Sequence, residues 1–376
     1  MPKICFVAPH YYTTLIGGAE VQNYILSKKF RQQGWEVHHV IGDLNCQIIH
    51  QDMVLHPCDI TPGFKKAYAN FSKLLNEIDA DIFYQRGRNI MTALLSRYSK
   101  QTAKPFIFAT SMDIDCLKYK QIARVLDSNA HPIKRAIQIL IKLRLDRLTL
   151  QGMRTADLVL SQSSYQQSQL DRNLNITSHI FKNVHHVPAE KGLIKANPPI
   201  VLWLSSLKKW KRPEIFINIV KKLGRHPYQF ILAGRMANEK YRKTILKLKS
   251  EQRNFNYIEN ISFEESNKLI SKSSVLINTS RIYEGFPNTF IQAWLRKTPT
   301  ISLDFDPDNI LKNESVGIHS GSYENLLSNI NFLLNHKKDL WIMGSKARKF
   351  AIREFSVEKK FPFLLKILSP ILESNR

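Results

Sequence analysis

Short β-type runs alternate with helical spacing nearly from end to end of this sequence, a pattern that favours parallel sheets covered on both faces by helices. Ile4-Cys5-Phe6-Val7-Ala8 reads as a first strand, a turn carries Gly17-Gly18, and Val21, Tyr24 and Ile25 fall at helical spacing before Gly34 stops the helix. Val37 to Ile41, Asp81 to Tyr84, Phe106 to Ala109 and Leu158 to Leu160 read as further strands, with helices around Phe71, Leu94 and Leu140. One doubly wound sheet accounts for the first half.

The stretch VPAEKGLIKANPP, Val187 to Pro199, has little periodicity and three prolines, as a linker would. The alternation then restarts with strands at Ile200 to Leu204, Phe230 to Ala233, Val275 to Ile277 and Thr300 to Leu303, and with helices near Phe216, Ile245, Leu269 and Trp294. Two Rossmann-like α/β domains follow, over residues 1–187 and 199–356, facing a central cleft at the carboxyl ends of their strands, where open α/β sheets bind ligands. The last stretch, with Phe361, Leu364, Leu365 and Ile367, reads as a helix.

A chain of 376 residues can bury a core without metal or disulfide staples, and 43% hydrophobic content excludes disorder. The unusual feature is charge: 55 Lys and Arg against 31 Asp and Glu give +24, which suits phosphates, anionic lipid headgroups, nucleic acid or an acidic substrate. Cys5, Cys46, Cys58 and Cys116 are dispersed, without C-x-x-C or a nearby His at ligand spacing, so neither a zinc site nor a disulfide framework is expected and a cytoplasmic setting fits. The apolar run Ile4 to Ala8 is too brief for a signal segment, and no stretch approaches the ~18 apolar residues of a membrane span.

Tyr283-Glu284-Gly285-Phe286-Pro287-Asn288-Thr289-Phe290-Ile291-Gln292-Ala293-Trp294 follows a strand directly. Pro287 suits a first helical position, which would leave the amides of Asn288, Thr289 and Phe290 as unpaired donors for an anion. Glu284, just ahead of them, would repel phosphate. It either accepts hydrogen bonds from the hydroxyls of a neutral sugar or complements the helix dipole, worth roughly 0.3–1 kcal/mol. In LSSLKKWKRPE, Leu204 to Glu214, the cations Lys208, Lys209, Lys211 and Arg212 surround Trp210, and form either a diphosphate-neutralising loop or a solvated basic turn.

Together and in this order, the two stretches resemble family 4 retaining glycosyltransferases, the GT-B enzymes of the group 1 type. The family's Glu-x7-Glu helix start matches Glu284 and Gln292, and its first glycine loop resembles Gly17-Gly18-Ala19-Glu20. The resemblance covers essentially the whole chain and implies a C-terminal helix, about residues 357–376, crossing back onto the first domain. It assigns the donor-sugar hydroxyls to Glu284, sugar and diphosphate to the amides of Gly285, Phe286, Pro287, Asn288 and Thr289 where they have one, and the ribose to Gln292. Lys211 matches the phosphate-binding lysine, the base would rest on backbone near Asn260 and Ile261, and Gly17 and Gly18 would let backbone approach the donor phosphates and the acceptor.

Three positions depart from the family pattern. Gln292 replaces the second Glu, so its ribose hydrogen bond lacks charge assistance, a loss on the order of 1 kcal/mol. Ser206 stands where an Arg usually precedes the lysine, leaving Lys211 with Arg212 or Lys208 for the diphosphate. The first-domain histidine is missing from Thr110-Ser111-Met112-Asp113-Ile114-Asp115, and Asp113 is the nominee for an acceptor or sugar contact. The resemblance implies retaining hexosyl transfer from a nucleoside diphosphate sugar without metal or other cofactor, the leaving diphosphate drawing the acceptor proton on the same sugar face. Asp304-Phe305-Asp306-Pro307 is read as a turn rather than a metal-binding Asp-x-Asp.

Lys118 to Arg154 carries Lys118, Lys120, Arg124, Lys134, Arg135, Lys142, Arg144, Arg147 and Arg154 against Asp127 and Asp146. Ile133, Ile137, Leu140, Ile141 and Leu148 form one stripe, but Ile139, Leu143 and Leu145 make the helix apolar nearly all round. Both a peripheral anionic-membrane surface, on the inner face of the cell membrane, and a core helix with a basic edge fit. The expected acceptor is a saccharide, lipid-linked as in bacterial surface polysaccharide assembly, either lipopolysaccharide or capsule. Rival readings are a sugar-nucleotide epimerase, a phosphorylase, or a non-catalytic relative that binds nucleotide sugar. A nucleic-acid-binding protein is disfavoured because no module motif appears. His185-His186 is expected to be a surface pair.

Overall fold

The computed structural model describes residues 1–45, 49–50, 53–126, 131–281 and 284–373; Cys46, Asp127 and Tyr283 lie outside them. The chain forms two compact units, residues 1–184 with 357–376, and residues 185–356.

The first unit holds an eight-stranded sheet in the order β3-β4-β2-β1-β5-β6-β7-β8. The strands are β1 Lys3–Ala8, β2 Glu36–Ile41, β3 Ile49–His50, β4 Met53–Pro57, β5 Ile82–Arg86, β6 Phe106–Ala109, β7 Leu158–Ser161 and β8 His179–Ile180. All neighbours pair in parallel except β3 with β4. Ile4, Cys5, Phe6 and Val7 are fully buried, as expected for a central strand covered on both faces. The helix Val357–Glu373 returns to this unit and packs on the helix Gly18–Gln32, with the Phe361 and Phe30 rings 4.8 Å apart edge to face.

The second unit holds a six-stranded parallel sheet in the order β11-β10-β9-β12-β13-β14. Its strands are β9 Ile200–Leu204, β10 Gln229–Ala233, β11 Phe255–Ile258, β12 Val275–Asn278, β13 Thr300–Ser302 and β14 Gly317–His319. From β9 the chain builds outward one way through β10 and β11, then returns to lay β12, β13 and β14 on the other side. The order therefore reverses between β9 and β12; in the first unit it reverses between β1 and β5. The fold is α/β with two doubly wound sheets, as the family resemblance implies.

The sequence reading missed β3, β4, β8, β11 and β14, short strands at or next to the sheet edges. Edge strands are wet on one side and need no continuous apolar run; β11 reads Phe-Asn-Tyr-Ile and only Phe255 is buried. Cys5, Cys58 and Cys116 are buried and outside any disulfide.

Candidate functional site

The site residues of the second unit come from loops after β9 and β12, the two strands that flank the reversal. After β9 the chain runs through Ser205 and Ser206 into a 3-10 turn, Lys209–Lys211, and then into the helix Pro213–Leu223. Buried Leu207 anchors this loop, and its amide donates to Arg235 O at 2.9 Å. Gly234, after β10, lets the neighbouring backbone pass closely: a Cβ there would meet Ser205 O at 1.9 Å, and its φ is +137°.

Thr279, just past β12, fixes the lysine loop from beneath. Its hydroxyl donates to Lys211 O at 2.7 Å and accepts from Trp203 Nε1 at 2.9 Å. Arg281 N donates to Trp210 O at 3.1 Å. Lys211 thereby lies against the end of β12, its Nζ 4.2 Å from the centre of the Trp210 ring and paired with the Glu284 carboxylate. Both side chains are largely buried, and Asn278 Nδ2 donates to the second Glu284 oxygen at 3.4 Å. Burial, with repulsion from Lys208, pulls the Lys211 ammonium well below the usual lysine range. A cavity of about 10 Å³ remains, lined by Trp203, Ser205, Lys211, Asn278, Glu284 and Thr289, room for about one water.

Gly285 takes φ +79°, which suits glycine, and turns the chain from Glu284 into the helix Asn288–Leu295. Pro287 caps this helix rather than opening it, a correction to the expected first helical position. The Phe290 amide, expected to be unpaired, donates to Pro287 O at 3.1 Å. Of the three amides, those of Asn288 and Thr289 open the helix and precede any carbonyl of it. Phe286 is buried, its ring 4.9 Å from Phe355, and holds the turn in place.

The other nominated residues are placed as follows. Arg212 does not offer its charge to this cavity: its Nε donates to Thr279 O at 2.6 Å and its guanidinium pairs with Asp304. Ser206 O accepts from the Lys208 amide at 2.8 Å. Asn260 (φ +56°) and Ile261 lie in the turn after β11, ahead of the helix Phe263–Lys272. Gln292 is buried and donates to Asn267 Oδ1 at 3.0 Å on that helix. Asp306 accepts from the amides of Leu311 and Lys312, so Asp304-Phe305-Asp306 is a turn that pairs Arg212 and caps a helix.

In the first unit, Gly17 caps the helix Gly18–Gln32. Asp113 is buried and accepts from Gln166 Nε2 at 2.8 Å. Asp115 receives Lys120 Nζ at 2.6 Å and the amides of Ser111 and Met112 at 2.7 and 3.1 Å. Burial would raise its carboxyl, but the lysine and these amides outweigh it and hold it below the usual range.

Sequence reasoning missed His185. Expected on the surface, it is 3% exposed. Its amide donates to Phe355 O at 2.8 Å, its ring stacks on Phe263, and Nε2 lies 3.2 Å from Asn288 Oδ1 at the start of the helix Asn288–Leu295. Burial drives its pKa down to about 3 despite that bond. The pair is separated by 103 residues, a distance that leaves no spacing signal.

Residues 188–350 match the family described as glycosyl transferases group 1. No curated protein matches the sequence. Among solved structures, sucrose-phosphate synthase from Thermosynechococcus elongatus is similar over 100% of both chains, with 13% identity and a TM-score of 0.77. HepE from Anabaena in complex with UDP-glucose is similar over 98% of this chain and 99% of its own, with 16% identity and a TM-score of 0.73. WaaG, a glycosyltransferase involved in lipopolysaccharide biosynthesis, covers 93% of this chain and 95% of its own, with 13% identity and a TM-score of 0.66. Most of the second unit thus matches the group 1 glycosyltransferase family model, and the whole chain has the fold of the solved GT-B glycosyltransferases.

Proposed function

We propose that this chain is a retaining, metal-independent glycosyltransferase that moves a hexose from a nucleoside diphosphate sugar to a saccharide acceptor. The observation that carries the reading is the convergence of Lys211 and Glu284 across the strand-order reversal, beside the amides that open the helix Asn288–Leu295. A cation and helix-start amides suit a diphosphate, and a carboxylate one side chain away suits the hydroxyls of the attached sugar. The named match to HepE with UDP-glucose supports a nucleotide sugar as ligand.

With the donor seated, Lys211 leaves Glu284 for the diphosphate and Glu284 accepts sugar hydroxyls. As the anomeric C–O bond breaks, negative charge gathers on the leaving diphosphate, where Lys211 and the amides of Asn288 and Thr289 stabilise it. The acceptor oxygen bonds to the anomeric carbon from the same face, and its proton passes to the diphosphate. The reaction needs no protein nucleophile. The commitment of Asp304, Asp306 and Asp115 to Arg212, a helix cap and Lys120 supports a reaction without metal.

The acceptor is read as a lipid-linked saccharide of surface polysaccharide assembly, met by the basic first unit at an anionic membrane face on the cytoplasmic side. No helix among the described residues is long and apolar enough to cross a membrane.

Thermal shift against UDP, ADP, GDP and their sugar conjugates tests the donor reading. One nucleotide sugar at 100 times its dissociation constant is expected to add about 2.7 kcal/mol of stability. Lys211→Ala is expected to weaken that binding about 10- to 100-fold through loss of a charge-assisted contact, and EDTA to leave transfer unchanged. A wild-type chain that ignores the whole panel contradicts the proposal.

A further inference from the structure

The first unit buries two arginines near the carboxyl end of β5, and they differ in one respect. Arg88 donates to Asp146 Oδ1 at 3.3 Å, to Thr149 Oγ1 at 2.9 Å and to the backbone carbonyls of Lys118 and Asp146. Arg86, the last residue of β5 and 3% exposed, has neutral partners: Tyr84 Oη accepts from it at 3.0 Å, and Asn183 Oδ1 accepts from the same guanidinium. Its Nε–H is buried without a hydrogen-bond partner, and among the described residues no carboxylate pairs with it. A buried guanidinium with no counter-ion is costly, and the cost is relieved when an anion arrives.

Its place in the fold identifies where such an anion would bind. β5 and β1 flank the reversal of strand order in the first sheet, and Arg86 ends β5 there. Tyr84, two residues back on the same face, accepts from Arg86 and so keeps its own proton to donate. Arg86 Nε–H and the Tyr84 hydroxyl are both donors of the kind that a phosphate or carboxylate oxygen accepts.

We propose that Arg86 and Tyr84 form an anion site that binds an acidic group, phosphate or carboxylate, on the acceptor. The assignment to the acceptor rests on the transferase reading above, in which Lys211 and the helix start of the second unit already serve the donor diphosphate. The donor's neutral hexose offers no negative charge to offset a guanidinium. The acceptor is therefore an acidic saccharide or a saccharide phosphate, and its charge is recognised in the first unit.

The test is Asn183→Asp, an isosteric change that gives Arg86 an internal counter-ion at the atom it already touches. Inorganic phosphate is titrated calorimetrically into the chain saturated with whichever of UDP, ADP or GDP it binds. The wild-type chain is expected to bind phosphate under saturation, Asn183→Asp to lose at least about tenfold in affinity while melting higher, and Arg86→Gln to lose as much. Nucleotide affinity should be the same in all three. Phosphate binding equal to wild type in Asn183→Asp overturns the site. Phosphate binding abolished by the nucleotide in the wild-type chain overturns its assignment to the acceptor. A wild-type chain that binds phosphate at Arg86 but no nucleotide refutes the donor reading and leaves the anion site standing.

Discussion

Lys211 and Glu284 each lose most of their hydration in this fold, and each tolerates it because the other is there. The stretches that carry them stand out in the sequence as a basic loop after one strand and an acidic turn before a helix, but it was the family resemblance that singled out Lys211 and Glu284 within them. The residues that hold them were not legible. Thr279 reaches Lys211 across 68 residues and Trp203 reaches Thr279 across 76, contacts that exist only once β9 and β12 are neighbours. His185 is the sharpest case, since its burial carries a pH signature. The unfolded chain takes up its proton near pH 6.5, the usual histidine value, whereas the folded chain resists until about 3. Folded stability is therefore fully present above pH 6.5 and is lost as pH falls below it. Between pH 7.5 and 5.0 this one ring should cost about 2 kcal/mol. Denaturant melts of the wild-type chain and of His185→Gln at these two pH values check it: the variant should show a loss smaller by about that amount. Equal losses would mean that His185 titrates normally.

At the scale of elements, the helix Pro132–Arg154 divides in two. Its last turns bury Asp146, Thr149, Leu150, Gly152 and Met153, and a Cβ on Gly152 would meet Thr92 O at 2.7 Å, so the helix lies tight against its neighbour there. Its first half instead exposes Ile133, Ile137, Leu140 and Ile141, each more than half accessible, beside exposed Lys134 and Arg144. The sequence showed a helix apolar nearly all round, and left a core helix and a membrane surface equally open. Periodicity could not separate them, because packing covers only one end. An exposed apolar stripe flanked by cations suits an anionic bilayer, each basic residue near the surface adding about 1 kcal/mol. Replacing Ile137 and Leu140 together by Asn should reduce co-sedimentation with phosphatidylglycerol-containing vesicles at least about tenfold without shifting the melting temperature appreciably. Unchanged co-sedimentation would remove the membrane from the account. Edge strands were the other loss at this scale: β4, β11 and β14 are short and partly wet, and none carries the continuous apolar run that marked the central strands.

At the scale of the molecule, the alternation of strand and helix was enough to read two doubly wound units, because parallel sheets buried on both faces demand continuous apolar runs. The C-terminal helix was legible in its residues, but its return to the first unit came from family resemblance; in the fold Phe361 against Phe30 holds it there. What neither composition nor pattern disclosed is the division of charge within each unit: Arg88 and Lys120 have acidic partners, Arg212 is tied to Asp304, and Lys211 is paired with a carboxylate at the strand reversal. That last pair carries the account, and a crystal structure of the chain with the nucleotide sugar that stabilises it most tests it directly. The diphosphate should lie at Lys211 Nζ with contacts of about 2.7–2.9 Å, against the amides of Asn288 and Thr289, with Glu284 turned to the sugar hydroxyls. A complex in which Lys211 still holds Glu284 and the diphosphate rests elsewhere would contradict it.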